Sequence, residues 1–168
     1  CTNSSAPNDF FIGRLNADGS RDAGFGSDGL TVTPIGAGAE FANAVAIQAD
    51  GKIVAAGFSS NGSNNDFAVV RKNADGSPDL SFDSDGELTT ALGDSLDSAN
   101  GVVIQADGKI VVVGRTVGET ADFGVVRYGY GTNAATNDGF IRVDPVVDLR
   151  FANAFRRGTI SVREMNSV

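Results

Sequence analysis

The chain has 168 residues, with 22 glycines, no tryptophan and no histidine, and 41% of its residues are hydrophobic. That is room for one domain with a core, but the absence of histidine removes the commonest general base and metal ligand, and a single cysteine excludes an intrachain disulfide or a thiolate cluster. A net charge of −8 makes nucleic acid and anionic membrane surfaces poor electrostatic partners.

Residues 1–8 are polar and rich in turn formers, a tether or a closing strand rather than core. An N-terminal Cys1 followed by Thr2-Asn3-Ser4-Ser5 has the pattern of a processed bacterial lipoprotein, so lipidation at Cys1 is an expectation; the plainer reading is that the sequence simply starts there. No apolar run approaches the roughly 20 residues that span a bilayer, which leaves such an anchor as the expected membrane contact.

From residue 9 the chain repeats itself. Copy one spans 9–65, copy two 66–121 and a divergent copy three 122–168, together one repeat domain. They open on Asp9-Phe10, Asp66-Phe67 and Asp122-Phe123, so the period is 57 and then 56 residues. Each opening is followed by an arginine (Arg14, Arg71, Arg127), a turn glycine (Gly29, Gly86, Gly139) and an Ala-Asn pair (Ala42-Asn43, Ala99-Asn100, Ala152-Asn153). In copy two the apolar runs are Phe67–Lys72, Glu87–Leu92, Gly101–Gln105 and Lys109–Arg115. Valine, isoleucine, threonine and phenylalanine dominate them, which predicts four short strands per copy. Asp50-Gly51 and Asp107-Gly108, set between β-branched runs, predict tight hairpins. No stretch carries a helical apolar period over ten residues.

Ile110-Val111-Val112-Val113 and Ile53-Val54-Ala55-Ala56 are apolar on both faces. Such strands must be covered on both sides, and sheets stacked face to face supply the cover, each repeat packing on the next. The expected fold is therefore all-β, with blade-like four-stranded antiparallel repeats arranged as in a β-propeller. A linear β-stack or a sandwich of the same units is the alternative.

The text DFAVVRKNADGSPDLSFDSDG from Asp66, with ANGVVIQADGKIVVVG from Ala99, resembles the delta-60 repeat family, a bacterial β-propeller-like repeat usually found in long secreted or surface proteins. Copies one and two match it from Asp9 to Ala121; copy three matches through Arg127 and patchily to Val162, where Gly158-Thr159-Ile160-Ser161-Val162 can be laid on Gly51-Lys52-Ile53-Val54-Ala55. The resemblance implies the fold and an exported location, extracellular or at the cell surface. It implies no catalytic residue.

Three copies are fewer than the four to eight blades of typical propellers, so the chain is expected to associate with itself, as a ring or a filament. Asp83 and Asp85 form the best metal candidate, a calcium loop without the third acid or terminal glutamate of an EF-hand; copy one has Gly26 where Asp83 stands, and an Asx-stabilised turn is the favoured reading. Arg14, Arg71 and Arg127, repeated in every unit, are expected to belong to its internal framework, paired with a nearby acid or with carbonyls. No triad, nucleophile elbow or phosphate loop is present, so no enzymatic activity and no cofactor are expected. The expected function is a structural or interaction module of a bacterial surface or extracellular assembly. The alternative is a carbohydrate-binding or carbohydrate-cleaving propeller working through the loops between copies, Ser59–Asn65 and Thr116–Ala121. With a glycan partner, sugar platforms would fall to Tyr128 and Tyr130, the two tyrosines.

Overall fold

The computed structural model describes residues 8–92, 96–117, 121–131 and 140–144. Cys1, Gly139, Ala152-Asn153 and the segment to Val162 lie outside the described residues, as do the side chains of Tyr130 and of the residues after it. All ten described regular elements are strands. They are β1 (Phe10–Gly13), β2 (Leu30–Thr33), β3 (Glu40–Ile47), β4 (Ile53–Ser60), β5 (Asn65–Lys72), β6 (Glu87–Thr90), β7 (Leu96–Ile104), β8 (Ile110–Val117), β9 (Ala121–Gly131) and β10 (Phe140–Asp144).

Two four-stranded antiparallel sheets, β3-β4-β5-β6 and β7-β8-β9-β10, follow a two-stranded sheet, β1-β2. Each full sheet is a meander. Its first turn is the Asp-Gly hairpin, where Gly51 and Gly108 both take φ near +84°, a conformation open to glycine. Gln48 N donates to Lys52 O at 2.8 Å, and Gln105 N repeats the bond to Lys109 O at 2.8 Å.

The sheets run half a copy out of phase with the sequence repeat. Each takes the last two strands of one copy and the first two of the next. The cause lies in the connections. The loop between copies, Ser59–Asn65, is itself a tight hairpin joining β4 to β5 along eight paired residues. The crossing from sheet to sheet occurs inside a copy, from Thr33 to Glu40 and from Thr90 to Leu96.

A second correction concerns the third strand of copy two. It starts at Leu96 rather than Gly101, because a β-bulge between Ala99 and Gly101 shifts the register and lets the strand continue through the polar Asp97. The same bulge stands between Ala42 and Ala44. Bulge and buried acid both break the period-2 pattern on which a strand is read from sequence.

Along β4 and β5 the first full sheet is covered on both faces. On one side Val54, Ala56, Phe67, Val69 and Phe82 pack against Ala99, Ile110, Val112, Val126 and Tyr128 of the second sheet. On the other, Ala55, Ala68 and Val70 pack against Phe10 of β1, with Ile12 and Ile35 at the margin. The stacking order is thus the β1-β2 pair, first sheet, second sheet, which is why Ile53–Ala56 is apolar throughout.

Candidate functional site

Arg14 and Arg71 each anchor the same small structure. Arg14 Nε lies 2.7 Å from Asp22 Oδ2 and the guanidinium sits 4.7 Å from the Phe25 ring centroid. Arg71 Nε lies 2.7 Å from Asp79 Oδ2, with its guanidinium 4.8 Å from the Phe82 centroid. Arg71 Nη2 also donates to Ser81 Oγ at 2.9 Å. The pattern Arg-x7-Asp-x2-Phe is readable in copies one and two, but acids are common enough in this chain that only the geometry singles out Asp22 and Asp79. Copy three has no acid between Arg127 and Asp138; Arg127 is held half-buried in β9, in register between Val111 of β8 and Asp144 of β10.

Burial raises the Asp79 carboxyl, but the Ser81 hydroxyl and N–H and the Arg71 charge outweigh it, and the group ends below its ordinary range. Two further carboxylates, which carry no motif in the sequence, are fully buried. Glu40 accepts Ile35 N at 2.9 Å together with Gly36 N, and Asp97 accepts Leu92 N at 2.7 Å. Both acids sit 57 residues apart at the start of the third strand of a copy, and both pin the loop that crosses between sheets. A Glu aligned with an Asp, inside a strand expected to be apolar, gave them little sequence signal.

Asp83 and Asp85 sit in a turn whose backbone is left-handed at Asp83 (φ 48°) and Ser84 (φ 64°). Asp85 Oδ1 accepts Glu87 N at 2.9 Å, an Asx turn that opens β6. Burial and the Asp85 charge raise the Asp83 carboxyl. Among the described residues no group of three or more acids, histidines or cysteines is placed to hold a metal ion. Tyr128 is in the core: its hydroxyl is 2.9 Å from Thr90 Oγ1, its ring meets Phe82 edge-on at 6.5 Å, and burial pushes its pKa up to about 12. A sugar cannot stack on it there.

Two surfaces remain. The first is a polar groove of about 430 Å³ between the β3–β4 and β7–β8 turns, lined among others by Gln48, Asp50, Lys52, Arg71, Ser81 and Gln105. Gln48 Nε2 closes part of it by donating to Gly108 O at 3.2 Å. The second is the outer face of the second sheet. There Phe123, Val125, Val111 and Val113 occupy the places that Phe67, Val69, Val54 and Ala56 occupy in the first sheet. All four residues of the first sheet are fully buried, because the second sheet covers them. Phe123 is 48% exposed, and Val111, Val113 and Val125 are only half-buried. Asn43, at the bulge of β3, reaches across to Ala99 O at 2.9 Å on the second sheet; its counterpart Asn100 is exposed at the bulge of β7.

Repeated antiparallel four-stranded sheets, stacked face to face and pinned by one recurring acid per crossing loop, define a blade-built repeat protein of β-propeller type. The family described as "Domain of unknown function (DUF5122) beta-propeller" matches residues 2–25, 48–82 and 105–129, half of the chain, and the chain belongs to that family. The second and third matched segments cross the copy boundaries, each holding a hairpin intact (β4 with β5, and β8 with most of β9), in the phase of the sheets. No curated protein matches the chain.

Proposed function

We propose that this protein is a non-enzymatic assembly module of a bacterial cell-surface or extracellular structure, and that the outer face of its second sheet receives another copy of the chain. One observation carries the reading. Phe123, 48% exposed, and the half-buried Val125, Val111 and Val113 repeat, on the outer face of the second sheet, residues that form the core between the first two sheets. An apolar face that the same fold buries elsewhere marks an interaction surface. Asn100, exposed at the matching bulge, is the counterpart of Asn43, which makes a polar contact between the first two sheets. Location at the cell surface, with or without an acylated Cys1, is part of this reading and rests on the delta-60 resemblance.

The test is the mass in solution by light scattering across a hundredfold range of concentration, with electron microscopy of the same samples. Rings or fibres, weakened by Phe123→Asp while circular dichroism stays unchanged, are the expected result. A compact monomer at every concentration sinks the reading and turns attention to the groove beside Gln48 and Lys52.

A further inference from the structure

The β1-β2 pair overlays on β5-β6 residue for residue, and the overlay reveals one missing strand. Phe10↔Thr33 matches Phe67↔Thr90, Gly13↔Leu30 matches Val70↔Glu87, and the bridge Leu15↔Arg21 matches Lys72↔Pro78. The far edge of β5 is paired with β4 from Ile53↔Lys72 to Ser60↔Asn65. Among the described residues no strand pairs with the far edge of β1. An edge of unpaired N–H and C=O groups is a template for another strand.

The neighbouring sheet is uncovered at the same place, an independent sign. Val102 and Ile104 of β7 pack on the core cluster that contains Val54 and Ala56 of β4. Their counterparts on β3, Val45 and Ile47, are 63% and 70% exposed. What β4 covers on β7, a strand added to β1 would cover on β3.

We infer that the edge of β1, with Val45 and Ile47 beside it, is an acceptor site for residues 158–162 of a second copy of this chain. The inference rests on the self-association proposed above and names the surface that the second copy uses. Phe151-Ala152-Asn153-Ala154 repeats Phe41-Ala42-Asn43-Ala44 letter for letter, so 151–162 carries the third- and fourth-strand pattern of copy three. In Thr159-Ile160-Ser161-Val162 apolar and polar residues alternate. One face therefore suits Val45 and Ile47 and the other suits water. The order of the stack selects a second copy over the same chain. β1 and β2 lie on one side of the first sheet and the second sheet lies on the other. The crossing from β2 to β3 uses residues 34–39 and moves the chain one sheet along the stack, and the same number of residues, 145–150, separates β10 from the Phe151-Ala152-Asn153-Ala154 motif. Closure within one chain would need a ring of three sheets, below the usual four to eight, whereas two chains exchanging strands make six.

Disulfide trapping tests this in the full 168-residue chain carrying Cys1→Ser. Leu15 is exposed at the open edge. The overlay on Gly51–Ala55 sets Ile160 opposite Leu15, as Ile53 is opposite Lys72, and the register one residue away, with Ile160 and Val162 on the side of Phe10 and Ile12, sets Thr159 opposite Leu15. One batch carries Leu15→Cys and the other, with a mass tag, Thr159→Cys; a parallel series with Ile160→Cys covers a one-residue slip. Mixing and oxidising the two batches should give a tagged heterodimer that neither gives alone, and a chain with both cysteines should give linked dimers where two chains close a ring and longer ladders where they form a filament. An intramolecular disulfide in that double variant, at the mass of one chain, overturns the inference in favour of closure within a chain. Assembly seen by light scattering with no trapped heterodimer overturns the β1 site but leaves the open face of the second sheet standing. A monomer at all concentrations, with no link of either kind, overturns both.

Discussion

The β1-β2 and β5-β6 units share their register, their turn and their Arg-Asp-Phe cluster, yet only one of them is enclosed. Side chains of the Arg14–Asp22 pair are 35% and 29% exposed, against 0% and 7% for Arg71–Asp79 at the same 2.7 Å separation. The motif is thus the same local device in two dielectric surroundings. In the first it is a partly solvated ion pair of small energetic weight. In the second each charge depends on the other, since removing either partner would strand a buried charge. The weight of the motif comes from its covering sheets.

The largest expected effect that breaks this parallel is at the acid. Asp79→Ala should destabilise the protein by about 3–5 kcal/mol in urea unfolding, and Asp22→Ala should leave the midpoint nearly unchanged. Equal losses would mean that the two surroundings are alike. The Asp79 contribution also depends on pH. Its folded pKa is lowered, so the stabilisation is present above the ordinary carboxylate range and is lost as pH falls through the lowered value. Asp79→Asn should remove that acid-sensitive portion.

A smaller effect lies at the alkaline end. The Tyr128 hydroxyl meets Thr90 of β6, and burial raises its pKa from 10 to about 12. Because the folded state holds the proton more tightly, stability is intact below pH 10 and falls as pH rises toward 12. The loss is about 2–3 kcal/mol, since each tenfold gain in proton affinity is worth about 1.4 kcal/mol. Tyr128→Phe should abolish that step in unfolding curves taken from pH 9 to 12, and persistence of the step in the variant would assign it elsewhere.

The smallest effect compares two glycines. Gly19 and Gly76 both have positive φ, 85° and 88°, so alanine is strained at either, by about 1–2 kcal/mol. A Cβ at Gly19 meets nothing within 4 Å, while at Gly76 it falls 2.8 Å from Gly26 N and 3.0 Å from the Phe25 ring. Gly76→Ala should therefore lower the thermal midpoint further than Gly19→Ala. Equal shifts would show that the β1-β2 loop is not firmly seated on the Asn73–Ser77 turn.

Much of this was legible in the chain. The period, the four strands in each of copies one and two, the Asp-Gly hairpins and the two-faced apolar strands are all local or periodic signals. The candidate interface was only half legible. Phe123 is visibly the equivalent of Phe67, but nothing in the two strings says that one is sealed and the other open. Arg71 and Arg14 likewise read alike. Glu40 and Asp97 gave little signal because an acid in a strand reads as solvent-facing until the loop N–H groups that it satisfies are placed around it.

By itself the sequence determined which residues become strands and that the units must stack, since β-branched runs apolar on both faces cannot stay in water on either. Only the tertiary structure decided where one sheet ends and the next begins. That choice depends on which loop bends into a hairpin and which crosses between layers, and the deciding contacts, the Glu40 and Asp97 bonds to loop N–H groups and the pairing of β4 with β5, are short in sequence but rest on backbone geometry and burial that the repeat period does not encode.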